Sequence, residues 1–120
     1  MSIIQRQTFN ILTDTGANYT DTGPPVSGFI WSLDGVLGDT GQLDTGADLR
    51  IVNAKTNRLI ADYDNIGATS FSKTPRQPTA DTGGAELGDA YIPLAGEPLK
   101  VTVSGGGVAK RATLHVYVGY

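Results

Sequence analysis

No stretch of helix length in these 120 residues runs free of Gly, Pro or β-forming residues. That is the strongest constraint on the fold, because Pro and Gly in a helix interior cost roughly 3 and 1 kcal/mol. What recurs instead is alternation of apolar and polar residues with a period of two, the pattern of a half-buried strand. In Leu99-Lys100-Val101-Thr102-Val103-Ser104, the side chains of Leu99, Val101 and Val103 point one way and the polar residues the other. After Gly105-Gly106-Gly107 a second alternating run covers Ala112 to Val118, and the two runs predict a hairpin closed by the Gly-rich loop. Another hairpin is predicted from Asp48–Val52 to Arg58–Tyr63, turning at Lys55-Thr56-Asn57. Further strands are expected at Ile3 to Leu12, Gly28 to Leu37, Gly67 to Ser72 and Asp89 to Leu94. About eight short strands in this arrangement predict an all-β fold, an antiparallel β-sandwich of jelly-roll-like form. The chain reads as one domain, residues 1–120, with residues 1–12 as an N-terminal arm or edge strand.

The composition agrees with short strands and long connections. The apolar fraction is 39% and there are 16 glycines, about twice ordinary usage. Two stretches read as long Gly/Pro-rich loops, Asp14 to Ser27 with Pro24-Pro25, and Lys73 to Gly88 with Pro75, Pro78 and Gly83-Gly84. Loops of this length in a compact domain are usually functional or ordered by a partner. There is no cysteine, so disulfides, thiol catalysis and Cys-based metal sites are excluded. Net charge is −3, which offers no broad basic field for nucleic acid or an anionic membrane. The opening Met1-Ser2-Ile3-Ile4-Gln5-Arg6-Gln7 lacks the apolar core of a signal peptide, and no apolar run approaches the ~20 residues that span a bilayer. A cytoplasmic site of synthesis is expected.

Asp-Thr-Gly occurs five times, at Asp14, Asp21, Asp39, Asp44 and Asp81. The copy in Leu43-Asp44-Thr45-Gly46-Ala47-Asp48 resembles the active-site run of retroviral-type aspartic proteases, which pair two such carboxylates, one from each subunit, around a shared proton. The resemblance covers about ten residues. The region that should carry the later glycine of that family, Val103-Ser104-Gly105-Gly106, runs straight into another strand, with no room for its helix before Tyr120. The other copies lie among Gly, Pro, Asn and Thr, where Asp accepts from backbone N–H groups two residues on and Gly supplies positive φ. All five are therefore expected to be turns. Asp39, Asp44 and Asp48 form one carboxylate cluster and Asp62 and Asp64 another, but neither has the spacing of an EF-hand calcium loop. His115, the single histidine, falls on the polar side of the last strand beside Thr113 and Tyr117, with no motif to make it a general base. Gly105-Gly106-Gly107 precedes a strand, whereas phosphate cradling requires a helix N-terminus. Lys110-Arg111 and the Lys73–Arg76 segment are small basic points that read as solvated or interface charges. No catalytic, cofactor-binding or metal-binding set emerges from these residues.

Phe29, Ile30 and Trp31 are consecutive in one predicted strand, so a large apolar side chain must face away from one buried face. Exposed aromatics serve as interface anchors. Ile3, Ile4, Phe29 and Trp31 are accordingly the candidate interface residues, with the Asp14–Ser27 loop beside them and the Ile3-Ile4 segment read as an arm that pairs with a neighbour.

The second half carries a resemblance. Ile66-Gly67-Ala68-Thr69-Ser70-Phe71, Pro75-Arg76-Gln77, Ala80-Asp81-Thr82-Gly83-Gly84-Ala85 and the run from Ile92 to Gly107 are together similar to small virion proteins of tailed bacteriophages. The similarity spans roughly residues 47–120 and its motifs are structural. It implies a capsid decoration (cement) protein, commonly a homotrimer, made in the host cytoplasm and seated on the virion surface. Its partner would be the major capsid protein, it would need no cofactor, nucleic acid or membrane, and it would stabilise the shell against internal DNA pressure. A tail, spike or head-fibre adaptor remains an alternative, as do carbohydrate binding on a sandwich and a dimeric aspartic protease using Asp44.

Overall fold

The computed structural model describes residues 4–38, 40–67, 69–75, 77–80, 86–90 and 92–119. Among them the elements are all strands: β1 (Ile4–Leu12), β2 (Tyr19–Thr22), β3 (Val26–Val36), β4 (Asp48–Asn53), β5 (Leu59–Tyr63), β6 (Phe71–Lys73), β7 (Gln77–Ala80), β8 (Glu86–Ala90), β9 (Ile92–Glu97), β10 (Leu99–Ser104) and β11 (Arg111–Gly119). One sheet has the order β1-β11-β3-β6, with β9 also pairing β3, and the second has the order β2-β10-β4-β5. All these pairings are antiparallel.

The pairing scheme has a simple logic. The chain behaves as one long hairpin in which β1 meets β11, β2 meets β10, β3 meets β9 and β4 meets β5. Rolling that hairpin brings β11 onto β3 and β10 onto β4, which splits it into two sheets. This is the jelly-roll sandwich predicted from alternation. β6 pairs the far half of β3, and β7 with β8 forms a separate two-stranded ribbon between β6 and β9.

The core lies between the sheets. Phe9, Ile11, Ile30, Leu33, Leu114, Val116 and Val118 of the first sheet meet Leu49, Ile51, Ile60, Leu99, Val101 and Val103 of the second, all buried. Within each strand these positions follow the period-two pattern, except that β3 changes phase between Ile30 and Leu33.

Three sequence expectations need correction. The runs Leu99–Ser104 and Ala112–Val118 do not pair as a hairpin: β10 and β11 belong to different sheets. Their inward residues face each other across the core, and alternation cannot distinguish two strands side by side from two strands stacked. The six residues 105–110 span up to ~20 Å, enough to cross the ~10 Å between sheets. Gly105 and Gly107 take positive φ (66° and 83°), and Gly106 donates to Ala17 O while accepting from Asp44 N–H, which ties the crossing to two other loops. Second, Asp14–Ser27 is not a single loop, because β2 emerges within it and adds to β10. Third, Lys73–Gly88 contains β7 and most of β8, a ribbon whose Pro and Gly content had argued for coil. The hairpin from β4 to β5 forms as expected, with Asn57 at φ 60° and Asn53 N–H bonded to Arg58 O at 2.9 Å.

Candidate interaction surface

β3 organises the outer face of the five-stranded sheet. Ile30 and Leu33 are both fully buried, although two residues separate them. Strict alternation cannot do this. The register supplies the reason: Ser32 faces Tyr117 and Ile30 faces Val118, so Trp31 is an extra residue, a β-bulge. Alternation turns Trp31 outward, the bulge keeps Ser32 outward beside it, and the half-buried indole donates its Nε1–H to Gly119 O at 3.1 Å.

The registers then assemble a row across four strands. Ile4 of β1 lies opposite Gly119 of β11, Gly119 lies opposite Phe29 of β3, and Phe29 lies opposite Pro93 of β9. Ile4 is 54% exposed and Phe29 is 41% exposed. Gly119 presents no side chain between them, and Gly28 keeps the backbones close. At Gly28 φ is +122°, and a Cβ there would come within 2.7 Å of Gly119 O. The outcome is an apolar row of Ile4, Phe29, Trp31 and Pro93 at one end of the outer face, with Leu12 and Val36 exposed at the other end. Three of the four candidate interface residues are brought together here. The fourth, Ile3, lies outside the described residues. Pro93 and Gly119 were missed in the sequence because their place in the row depends on pairing with residues 64 and 90 positions away in the chain.

A second row on the same face is polar. Thr8, His115, Asp34 and Ser72 are successive cross-strand neighbours. Thr8 Oγ1 and His115 Nδ1 are 2.9 Å apart, and Ser72 Oγ donates to Asp34 Oδ1 at 2.5 Å. The single histidine is therefore on the polar side of the last strand, as alternation predicted, with a hydroxyl from the edge strand as its partner.

The Asp-Thr-Gly triplets divide. Asp14 builds a turn: its Oδ1 accepts from Gly16 N–H (2.9 Å) and Asn18 N–H (3.0 Å), while its carbonyl accepts from Ala17 N–H. Asp44 also begins a turn, with Ala47 N–H bonded to its carbonyl at 3.0 Å. Its carboxylate is well exposed and stands 4.0 Å from Lys110 Nζ. The open depression around it is lined by Gln42, Leu43, Thr45 and Lys110. Asp21 corrects the expectation, because it lies within β2 and not at a turn. Its Oδ2 accepts from Tyr19 OH at 3.3 Å and its Oδ1 from Thr22 N–H at 2.8 Å. Thr20 and Thr22 favour extended backbone, and pairing with β10 completes the strand. Asp39 and Asp81 lie outside the described residues.

Burial, with the Asp21 charge and hydrogen bond adding to it, pushes the Tyr19 phenol up to about 12. The Tyr63 phenol is also raised by burial, and the Lys73 ammonium sits over its ring at 5.3 Å from the centroid. The Glu97 carboxylate is held below its ordinary value by a hydrogen bond from the Asn53 side chain and another from Ala95 N–H. Among the described residues no group of three or more His, Asp or Glu side chains could hold a metal ion. Among the same residues no helix is long and apolar enough to cross a membrane.

Comparison with known proteins adds little to this geometry. No protein-family model matches the chain, and no curated protein matches it. Among solved structures the chain is similar to that of FlhE, at 17% identity and a TM-score of 0.47, over 98% of this chain and 96% of that one.

Proposed function

We propose that this chain is a structural virion protein that binds the outside of an assembled phage capsid and bridges neighbouring capsid subunits. The observation that carries the reading is the outward-facing apolar row of exposed Ile4, Phe29 and Pro93 with half-buried Trp31, on a sheet whose partner sheet seals the core. Apolar and aromatic side chains held on paired strands bind with little loss of conformational freedom, which is what a small contact needs in order to be useful. One such contact is modest. Repetition over a symmetric shell multiplies it, because each further contact made by an anchored subunit is effectively intramolecular. The resemblance of residues 47–120 to small virion proteins supports the same assignment. Asp44 is assigned to the turn it begins, with no role in cleavage.

The test is co-sedimentation of the purified chain with expanded capsids that lack it. Stoichiometric binding is expected, weakened about tenfold or more by Phe29→Ser or Trp31→Ser, in keeping with loss of an aromatic anchor. Virions purified without stoichiometric amounts of this chain would defeat the proposal. Acid-pH peptide cleavage abolished by Asp44→Asn would establish the protease in its place.

A further inference from the structure

A sheet edge is a row of unpaired N–H and C=O groups, and natural proteins blunt such edges with short strands, Pro, Lys or bulges. In this fold most edges are blunted. β6 is three residues long and ends at Lys73, and β9 carries Pro93 and a bulge at Gly96 (φ 66°). β2 has four residues including Asp21 and runs into Gly23-Pro24-Pro25, while β5 has five residues, contains Asp62 and meets a register shift in β4.

β1 differs. It is nine residues long, Ile4-Gln5-Arg6-Gln7-Thr8-Phe9-Asn10-Ile11-Leu12, with no Pro, Gly, Lys or register shift, and Arg6 is its single charge. Among the described residues it pairs on one side only, with β11. The phase of its open side follows from one bond. Thr13 N–H donates to Lys110 O at 3.0 Å, continuing the β1–β11 register by one residue. Antiparallel ladders alternate, so odd-numbered residues direct their backbone groups at β11. Arg6, Thr8, Asn10 and Leu12 direct theirs at the open edge.

The side chains on that strand are complementary to themselves. In an antiparallel pair of two copies centred on Thr8, Ile4 meets Leu12 of the second copy, Arg6 meets Asn10 and Thr8 meets Thr8. Ile4 and Leu12 are 54% and 46% exposed, and the pairing sets one against the other at both ends. Arg6 faces a neutral amide, so like charges are not opposed, and Thr–Thr is a favourable cross-strand pair. We infer that β1 pairs with β1 of a second copy about a two-fold axis through Thr8, joining two five-stranded sheets into one of ten strands. The interface is isologous and uses every outward backbone group of the strand. The inference does not rest on the virion reading, and it replaces the three-fold arrangement that the family resemblance implies with a two-fold one.

Light scattering of the full chain over a wide concentration range tests it. The expected mass is twice the 12.6 kDa of the chain. Asn10→Pro deletes an N–H that points away from β11, so the fold keeps its ladder while the dimer loses two inter-chain bonds, a weakening of roughly 30-fold. Asn10→Ala keeps that N–H and should keep the dimer. Hydrogen exchange on the unmodified chain gives a second readout. The amides of Arg6, Thr8, Asn10 and Leu12 should gain protection as concentration rises, while those of Gln5, Gln7, Phe9 and Ile11 are protected throughout. A chain monomeric at every concentration, a dimer indifferent to Asn10→Pro in a folded variant, or even-numbered amides that never gain protection would each overturn the proposal.

Discussion

Gly67→Ala should be among the most damaging single-methyl additions in this protein, and Gly46→Ala, inside the Asp-Thr-Gly triplet itself, should be harmless. Ile66 N–H bonds to Ala47 O at 2.8 Å and pulls Gly67 against the backbone of the 43–47 loop. A Cβ on Gly67 would stand 1.7 Å from Asp44 O and 2.5 Å from the Asp44 carbonyl carbon. Ordinary contact between such atoms is about 3.5 Å, so one of two backbone segments must move by roughly 1.5–2 Å. Side-chain rotation cannot relieve the clash, because the obstacle is main chain. The movement strains the bonds Asp44 N–H to Gly106 O and Ala47 N–H to Asp44 O, both 3.0 Å. Overpacking costs about 1–3 kcal/mol, and a backbone obstacle places this substitution near 3. Unfolding entropy of about 2.1 cal/mol/K per residue gives about 0.25 kcal/mol/K for 120 residues, hence a fall in Tm of about 12 °C. At Gly46 an added Cβ meets nothing within 4 Å and φ lies outside the left-handed region. Ala there restricts the unfolded chain and should raise stability by about 0.4–1 kcal/mol. Thermal unfolding by circular dichroism, with urea titrations to confirm an unchanged m-value, measures both. A Gly67→Ala protein melting with the wild type would refute the packing argument. Greater loss at Gly46 than at Gly67 would refute the assignment of the Asp44 triplet as a turn.

Three further outcomes follow from the geometry. Ile30→Ala should cost about 3 kcal/mol by urea denaturation, because the side chain is fully buried, whereas Phe29→Ala on the opposite face should cost about 1 kcal/mol or less. Equal losses would mean that the faces of β3 are misassigned. The raised Tyr19 pKa implies that stability is fully present below pH 10 and falls as pH rises through about 12, since above pH 10 the unfolded phenol loses its proton more readily than the folded one. Tyrosinate absorbance of the folded protein should show a late-ionising phenol that Tyr19→Phe removes, and an unchanged titration in that variant would contradict it. Ala17 adopts φ 66°, a conformation that glycine occupies without strain, so Ala17→Gly should stabilise by up to about 1 kcal/mol. A lower melting temperature would show that the turn at Asp14 does not hold Ala17 in that conformation.

Period-two alternation was legible because it is local: each strand needs one apolar and one polar face, whatever it pairs with. Thus Leu99, Val101, Val103, Leu114, Val116 and Val118 could be assigned to a core from their spacing, and Phe29-Ile30-Trp31 to a strand with large side chains on both faces. Pairing is not local. Nothing in Leu99–Ser104 and Ala112–Val118 says that they stack across the core instead of lying side by side, because both arrangements bury the same three residues of each run. The turn chemistry of Asp14 and Asp44 could be inferred from Asp and Gly together, but β2 depended on β10, so the same triplet at Asp21 became extended. Ile4, Phe29 and Trp31 were candidate contacts as separate residues. Their union into one row required the registers of β1, β3, β9 and β11 and the side-chain-free Gly119 between Ile4 and Phe29. Composition and periodicity thus settled that this chain makes two-faced strands, since those are properties of neighbouring residues. Which strands meet, and what surface they make, depended on contacts between residues far apart in the chain, whose cost and reward appear only when the two sheets close on one core.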